Sequence, residues 1–250
     1  DKYEELRKTA ADTFINEVSK NPDNTCFILL GDNSDGTALS LFTEQESGCD
    51  LLESFHPNYS VLGNHELYYS AEKYLNPESE YSFAKSLGIK SFLSCNTYWY
   101  DGMTAEYCDY FKPYAIEKIG DLNVGFVGYT ASSLPNGDVT SRSLFRAEAG
   151  DNKNEFLNTG KTGTQILQEA IDNCHNDALN LNNGVKPDIV ILAQHEGAFN
   201  YGIDHWQETG SYPIINNING IDVSMEAHSH KKYIMTMPDK DGKQIPCCQA

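Results

Sequence analysis

One carboxylate, one amide and four imidazoles stand where the chain has just left a short apolar run: Asp32, Asn64, His65, His195, His228 and His230. Oxygen and imidazole donors without thiolates suit Zn, Mn, Fe or Co, and do not suit calcium or an iron–sulfur cluster. A carboxylate such as Asp32 can bridge two divalent ions about 3.5–4 Å apart, the separation used in two-metal phosphoester hydrolysis. Such a pair would hold substrate oxygens, lower the pKa of a bridging water and bring positive charge to an anionic substrate. A further histidine, not bound to metal, can then stabilise or protonate the leaving oxygen. Taken singly, each residue has an ordinary structural explanation: Gly-Asn is common turn chemistry, and His-x-His is short enough to arise by chance. Their joint occurrence at successive strand ends is what points to a site.

The elements that must position these residues can be read from the same sequence. Cys26–Leu30 is a buried-type apolar run ending in Gly31-Asp32, and Tyr59–Leu62 ends in Gly63-Asn64-His65-Glu66. Asp188–Ala193 ends in Gln194-His195-Glu196-Gly197, and Gly220–Met225 ends in Glu226-Ala227-His228-Ser229-His230. Between them lie helical stretches, Gln165–Ala178 and the segment around Ser211–Ile218. An amphipathic helix is expected over residues 2–20, with Tyr3, Leu6, Ala10, Phe14 and Val18 on one face. Strands alternating with helices predict an α/β fold, in which ligands gather at the carboxyl ends of the strands. A hairpin, Tyr233–Met237 with Gln244–Cys248, is expected at the end of the chain. The polar stretch 132–158 reads as a surface insertion, not a domain boundary. Gly160–Thr164, "GKTGT", looks like a phosphate loop, but position 155 is Glu where that motif needs Gly, so it is set aside.

Composition narrows the classes. A chain of 250 residues with 40% hydrophobic and 22% charged residues can bury a sizeable core. No apolar run approaches the roughly 18 residues of a membrane span. A net charge of −18 argues against non-specific nucleic-acid binding, which needs a basic face. Anionic substrates would therefore need local positive charge, and bound metal ions are the direct way to supply it. The seven cysteines show no Cys-x-x-Cys zinc spacing, and their odd number prevents full internal pairing. Cys95 with Cys108 is one candidate bridge. Asn58-Tyr59-Ser60 is a lone glycosylation sequon that chance explains equally well.

"GDNSDG" (31–36), "GNHE" (63–66), "QHEG" (194–197) and "HSH" (228–230), in this order, resemble the calcineurin-like metallophosphoesterases, and most of all their 5′-nucleotidase branch. "GDNSDGTALS" and "GNHELYY" are most similar to a 5′-nucleotidase-related subgroup known from yeast and other fungi. The resemblance runs to "IPCCQA", which is similar to the strand that closes this catalytic domain. It implies a metallophosphatase-type α/β sandwich of mixed sheets flanked by helices, and two divalent ions. Asp32 would bridge both ions, Asn64, His195 and His228 would complete one site, and His230 would belong to the other. His65 would be the unmetallated catalytic histidine. The implied activity is hydrolysis of nucleotides or other small phosphomonoesters, and such relatives are commonly secreted or vacuolar.

The sequence also departs from the family. The first motif, Asp-x-His on the first strand, has no counterpart, so the fold is expected to be incomplete at the N-terminus and the chain to be a fragment of a longer protein. The carboxy-terminal nucleotide-binding domain of true 5′-nucleotidases is also missing, so residues 1–250 are expected to form a catalytic domain truncated at both ends. Tyr68 stands where classical 5′-nucleotidases carry an Asp that orients the histidine, and Glu226-Ala227 stands where Gly-Gly usually precedes HSH. Alternatives are a phosphodiesterase, a protein phosphatase (weakened because "GDNSDG" lacks Asp-Arg-Gly), or a non-catalytic metal-binding or interaction domain on the same scaffold.

Overall fold

A computed structural model describes residues 20–33, 55–67, 87–100, 105–107, 111–130, 145–147, 160–198 and 210–249, with a few isolated positions besides. A parallel sheet runs in the order β1 (Ile28–Leu29), β2 (Tyr59–Val61), β3 (Ser91–Leu93) and β6 (Phe111–Lys112). A larger mixed sheet contains β7 (Tyr114–Ile119), β8 (Leu122–Tyr129), β10 (Ile189–Gln194), β11 (Val223–Glu226), β12 (Tyr233–Pro238) and β13 (Gln244–Gln249). Its spatial order is β12-β13-β11-β10-β8-β7. The central pairs β8·β10, β10·β11 and β11·β13 are parallel, and the edge pairs β7·β8 and β12·β13 are antiparallel. A small antiparallel sheet joins β5 (Ala105–Tyr107), β4 (Thr97–Tyr100) and β9 (Phe145–Ala147).

The two main sheets pack face to face. Ile28, Tyr59, Val61 and Leu93 from the parallel sheet meet Ala115, Val124, Phe126 and Ala193 from the mixed one. The approach is tightest at Gly128, where a Cβ would lie 2.4 Å from the Leu93 carbonyl. The Cys95 N–H donates to the Gly128 carbonyl at 2.9 Å and so ties the sheets together there. The other face of the mixed sheet is covered by α1 (Gly163–Asn176) and α2 (Ser211–Asn216). Ile166, Leu167, Ala170, Ile171 and Cys174 of α1 recur at helical spacing and bury against β8 and β10 residues. This is the expected α/β sandwich of mixed sheets flanked by helices.

Helix α1 begins at Gly163 because Thr162 caps it: its hydroxyl accepts from Gln165 N, and Gln165 Oε1 accepts from Thr162 N. The segment that resembles a phosphate loop is therefore a capping box. The helix stops at Asp177, whose backbone is left-handed (φ 43°). The terminal hairpin and the helix near Ser211 lie where the sequence places them. Strands β3 to β9 were not anticipated, including the β7–β8 hairpin with its two-residue turn at Gly120-Asp121. Part of the expected surface insertion, Phe145–Ala147, is a strand paired with β4; the rest of 132–158 lies outside the described residues.

Of the helix expected over residues 2–20, Asp12, Thr13, Ile15, Asn16 and Lys20 are helical, and the remaining positions lie outside the described residues. Cys95 is a buried free thiol, which corrects the candidate bridge to Cys108. The sequon is built into the fold: Asn58 Oδ1 accepts from Phe27 N at 2.8 Å, and Ser60 is buried. Among the described residues, no helix is long and apolar enough to cross a membrane.

Candidate metal centre

The carboxyl ends of β1, β2, β10 and β11 converge, and the loops that leave them carry the site. Two glycines make the first half possible. A Cβ on Gly31 (φ 86°) would lie 2.5 Å from Gly63 N and 2.7 Å from His195 Nδ1. A Cβ on Gly63 would lie 2.2 Å from Asp32 Oδ1. Gly-Asp and Gly-Asn thus interlock because neither position has room for a side chain. Asp32, His228 and His230 all have left-handed backbones (φ 54°, 67° and 54°), a strained choice for non-glycine residues that tends to mark functional loops.

Reciprocal bonds lock the first two loops. Asp32 Oδ1 accepts from His65 N at 2.8 Å. The buried Glu66 carboxylate accepts in return from Gly63 N (2.7 Å), Asp32 N (2.9 Å) and Asn33 N (3.0 Å). Asp32 Oδ2 is left facing His195 Nε2 at 3.0 Å and His65 Nε2 at 3.9 Å. Glu66 was quoted within its motif in the sequence but given no role, because two of its three backbone partners, Asp32 N and Asn33 N, lie more than thirty residues away in the chain.

His195 is buried, and its Nδ1 lies 2.6 Å from the Leu30 carbonyl. A carbonyl can only accept, so Nδ1 carries a proton, and whenever the ring is neutral Nε2 presents a lone pair. That lone pair meets Asp32 Oδ2, Asn64 Oδ1 at 3.2 Å and His228 Nδ1 at 3.2 Å. Acceptor atoms crowding one point require something positive between them, either a proton or a metal cation. The ligand atoms of Asp32, His195 and His228 all lie within 4.8 Å of one another, so one ion can reach all three. The fixed Nδ1–H on a backbone carbonyl is also the outer-sphere bond that orients metal-bound histidines.

The electrostatics favour negative charge on Asp32, positive charge at His195 and a neutral His228. Burial disfavours ionised Asp32, yet the hydrogen bond and charge of His195, with the His65 amide, hold its pKa below the usual carboxylate range. Burial also works against a charged His195, but Asp32 and then Glu66 outweigh it and raise its pKa, so a positive charge at this point is welcome. Burial, with the charge of His195, pushes His228 down to about 4, leaving a neutral imidazole suited to a metal. Burial and the negative charge of Asp32 raise Glu66.

Asp32, Asn64, His195 and His228 are therefore brought together as the sequence suggests. His65 stands at their edge, its side chain 38% exposed and facing the same Asp32 oxygen. His230 is exposed and outside the cluster that could hold one ion, although its charge is felt at His228. Tyr68, the position of the missing orienting acid, lies outside the described residues.

A profile of the family described as calcineurin-like phosphoesterase matches residues 5–232. The chain belongs to that family. The calcineurin-like phosphoesterase fold recurs in solved structures of low identity. A 5′-nucleotidase precursor from Thermus thermophilus superposes with a TM-score of 0.62 at 18% identity, over 95% of this chain and 41% of that one. The 5′-nucleotidase of Candida albicans gives 0.57 at 13% identity, over 95% of this chain and 39% of that one. The sulfate thiohydrolase SoxB from Thermus thermophilus gives 0.66 at 17% identity, over 96% and 37%. This chain thus spans about two fifths of the length of those structures. No curated protein sequence matches it.

Proposed function

We propose that residues 1–250 are the catalytic domain of a two-metal phosphomonoesterase acting on nucleotides or other small phosphates. The observation that carries this reading is the convergence of Asp32 Oδ2, Asn64 Oδ1, His228 Nδ1 and His195 Nε2 on one point. Asp32, Asn64, His195 and His228 would hold one divalent ion, with Asp32 shared and His230 assigned to the other. Bound divalent ions would supply Lewis-acid polarisation of the phosphoryl oxygens and a water acidified toward neutrality.

The chain's own residues do the rest. Asp32 keeps its charge in a half-buried site because His195 and the His65 amide stabilise it. The Leu30 carbonyl fixes which His195 nitrogen carries the proton. His65 is held by its own backbone N–H on Asp32 while its ring remains accessible, so it is the group placed to meet substrate. As a water oxygen bonds to phosphorus and the ester P–O bond breaks, His65 would give its proton to the leaving oxygen. We also propose, on the resemblance to 5′-nucleotidases, that the protein works outside the cytosol, which cell fractionation would test.

The test is hydrolysis of an aryl phosphate and of AMP with added Mn or Zn. Metal-dependent turnover that is lost in His65→Ala but leaves metal binding intact supports the reading. Stoichiometric metal binding with no ester cleaved would leave a metal-binding domain and sink the enzyme.

A further inference from the structure

Four segments that surround the second half of the site meet on one buried acid, Glu226, which is 2% exposed. Its Oε1 accepts from Ser224 Oγ at 2.8 Å and from Gln194 Nε2 at 3.3 Å. Its Oε2 accepts from Ser211 Oγ at 2.7 Å and from the Tyr233 hydroxyl. A carboxylate has about four lone-pair sites, and all are taken. Gln194 directly precedes His195. At the other end of the same loop, Ala198 N donates to the Tyr233 oxygen at 2.9 Å, so the acid grips both ends of the turn that carries His195. Two residues beyond Glu226 stands His228. Ser211 opens α2, and its N–H donates to the Gly197 carbonyl at 3.3 Å. The two loops also touch directly, since Ala227 N donates to the Glu196 carbonyl at 3.3 Å. Gln249 closes the far side, its amide set against the Ala227 carbonyl, the Ser229 hydroxyl and His230 N.

We propose that Glu226 is a positioning residue that sets the separation of His195 and His228, acting through Gln194 on one side and through Tyr233 and Ala198 on the other. This rests on the metal-site reading above. The link explains how two loops from different strands hold Nε2 and Nδ1 3.2 Å apart. It also gives a role to the acid that replaces the glycine expected before the HSH motif. Apolar residues at this place would pack, but they would leave the Ser211, Tyr233 and Gln194 donors without an acceptor.

The experiment uses the protein with two variants, Glu226→Gln and Tyr233→Phe. The second removes only the hydroxyl that relays Glu226 to Ala198 and keeps the ring, so it remains informative if the first does not fold. Amide hydrogen exchange at Ala198 and Ala227 is measured without metal, and Mn affinity is measured by titration calorimetry. Asp177→Asn, in a buried network remote from the site, serves as a purely structural control. Faster exchange at Ala198 and Ala227, with Mn affinity lowered about 10–100-fold in Glu226→Gln and less in Tyr233→Phe, supports the proposal. The control should lose thermal stability and keep its Mn affinity. Unchanged exchange at Ala198 and Ala227 overturns the anchor whatever the metal does. Faster exchange with Mn affinity within about twofold of wild type overturns the positioning role. A wild-type protein that binds no Mn, Zn or Co removes the metal-site reading itself, and the proposal with it.

Discussion

Replacing Glu66 by Gln tests the loop clamp beneath Asp32. The carboxylate takes two N–H groups on Oε2 (Gly63, Asp32) and one on Oε1 (Asn33), all buried or half-buried. A glutamine can place its single oxygen at the Oε2 position and keep two bonds, but they change from charge-assisted to neutral, a loss of about 1 kcal/mol each. Its NH2 then confronts the Asn33 N–H, leaving a donor unsatisfied at a cost of about 1–3 kcal/mol. Opposing this is relief of the burial of a charged Glu66 beside Asp32, the same effects that raise its pKa. Setting about 1–2 kcal/mol of relief against those losses leaves Glu66→Gln destabilised by about 2 kcal/mol. For a chain of this size that is a fall in Tm of about 4–8 °C. Differential scanning fluorimetry on metal-free protein reads it directly. An unchanged or raised Tm would show that the burial cost of the charge outweighs its three backbone bonds, and the clamp argument would be refuted.

Other expectations follow from the same geometry. Gly63→Ala would drive a methyl into Asp32 Oδ1 and should lower Mn affinity at least tenfold, which calorimetry would show; affinity like wild type would mean the loops can move apart. Adding EDTA to metal-saturated protein should lower Tm, since ion at about 100 times its Kd stabilises by about 2.7 kcal/mol; a Tm indifferent to chelator contradicts a bound ion. Asp177 is buried, and although burial alone would raise its pKa, bonds from Gly184 N, Asn182 and Tyr114 hold it below the usual carboxylate range. A depressed folded-state pKa stabilises above the unfolded value and is lost as pH falls through the folded one, so acid unfolding of Asp177→Asn should begin from a lower plateau and show a weaker dependence on pH below about 4. An acid limb identical to wild type would exclude Asp177 as a contributor.

The candidate site was legible in the sequence because its loops follow strands buried on both faces. Ile189–Ala193 reads as an unbroken apolar run, Val223–Glu226 alternates half-buried and buried residues, and both strands end abruptly in the polar residues that matter. The small parallel strands Ile28–Leu29 and Tyr59–Val61 were also placed correctly, though longer than they are. Ser91–Leu93 and Ala105–Tyr107 were missed because three residues carry no periodicity, and their pairing is decided by partners far along the chain. The β7–β8 hairpin could have been read from the Gly120-Asp121 turn between alternating strands. Glu66 and Glu226 were invisible as hubs because a side chain's partners across 33 residues, or across a loop and a helix, leave no local pattern. His230 was assigned to a second ion by resemblance; it is exposed and lies outside the group formed by Asp32, His195 and His228.

The most direct test of the central claim is anomalous scattering from crystals of the protein grown with Mn or Zn. The account predicts anomalous density bounded by Asp32, Asn64, His195 and His228, and a second peak across Asp32 toward His230. Saturating metal with no anomalous density at Asp32, in crystals where these loops are ordered, would contradict it.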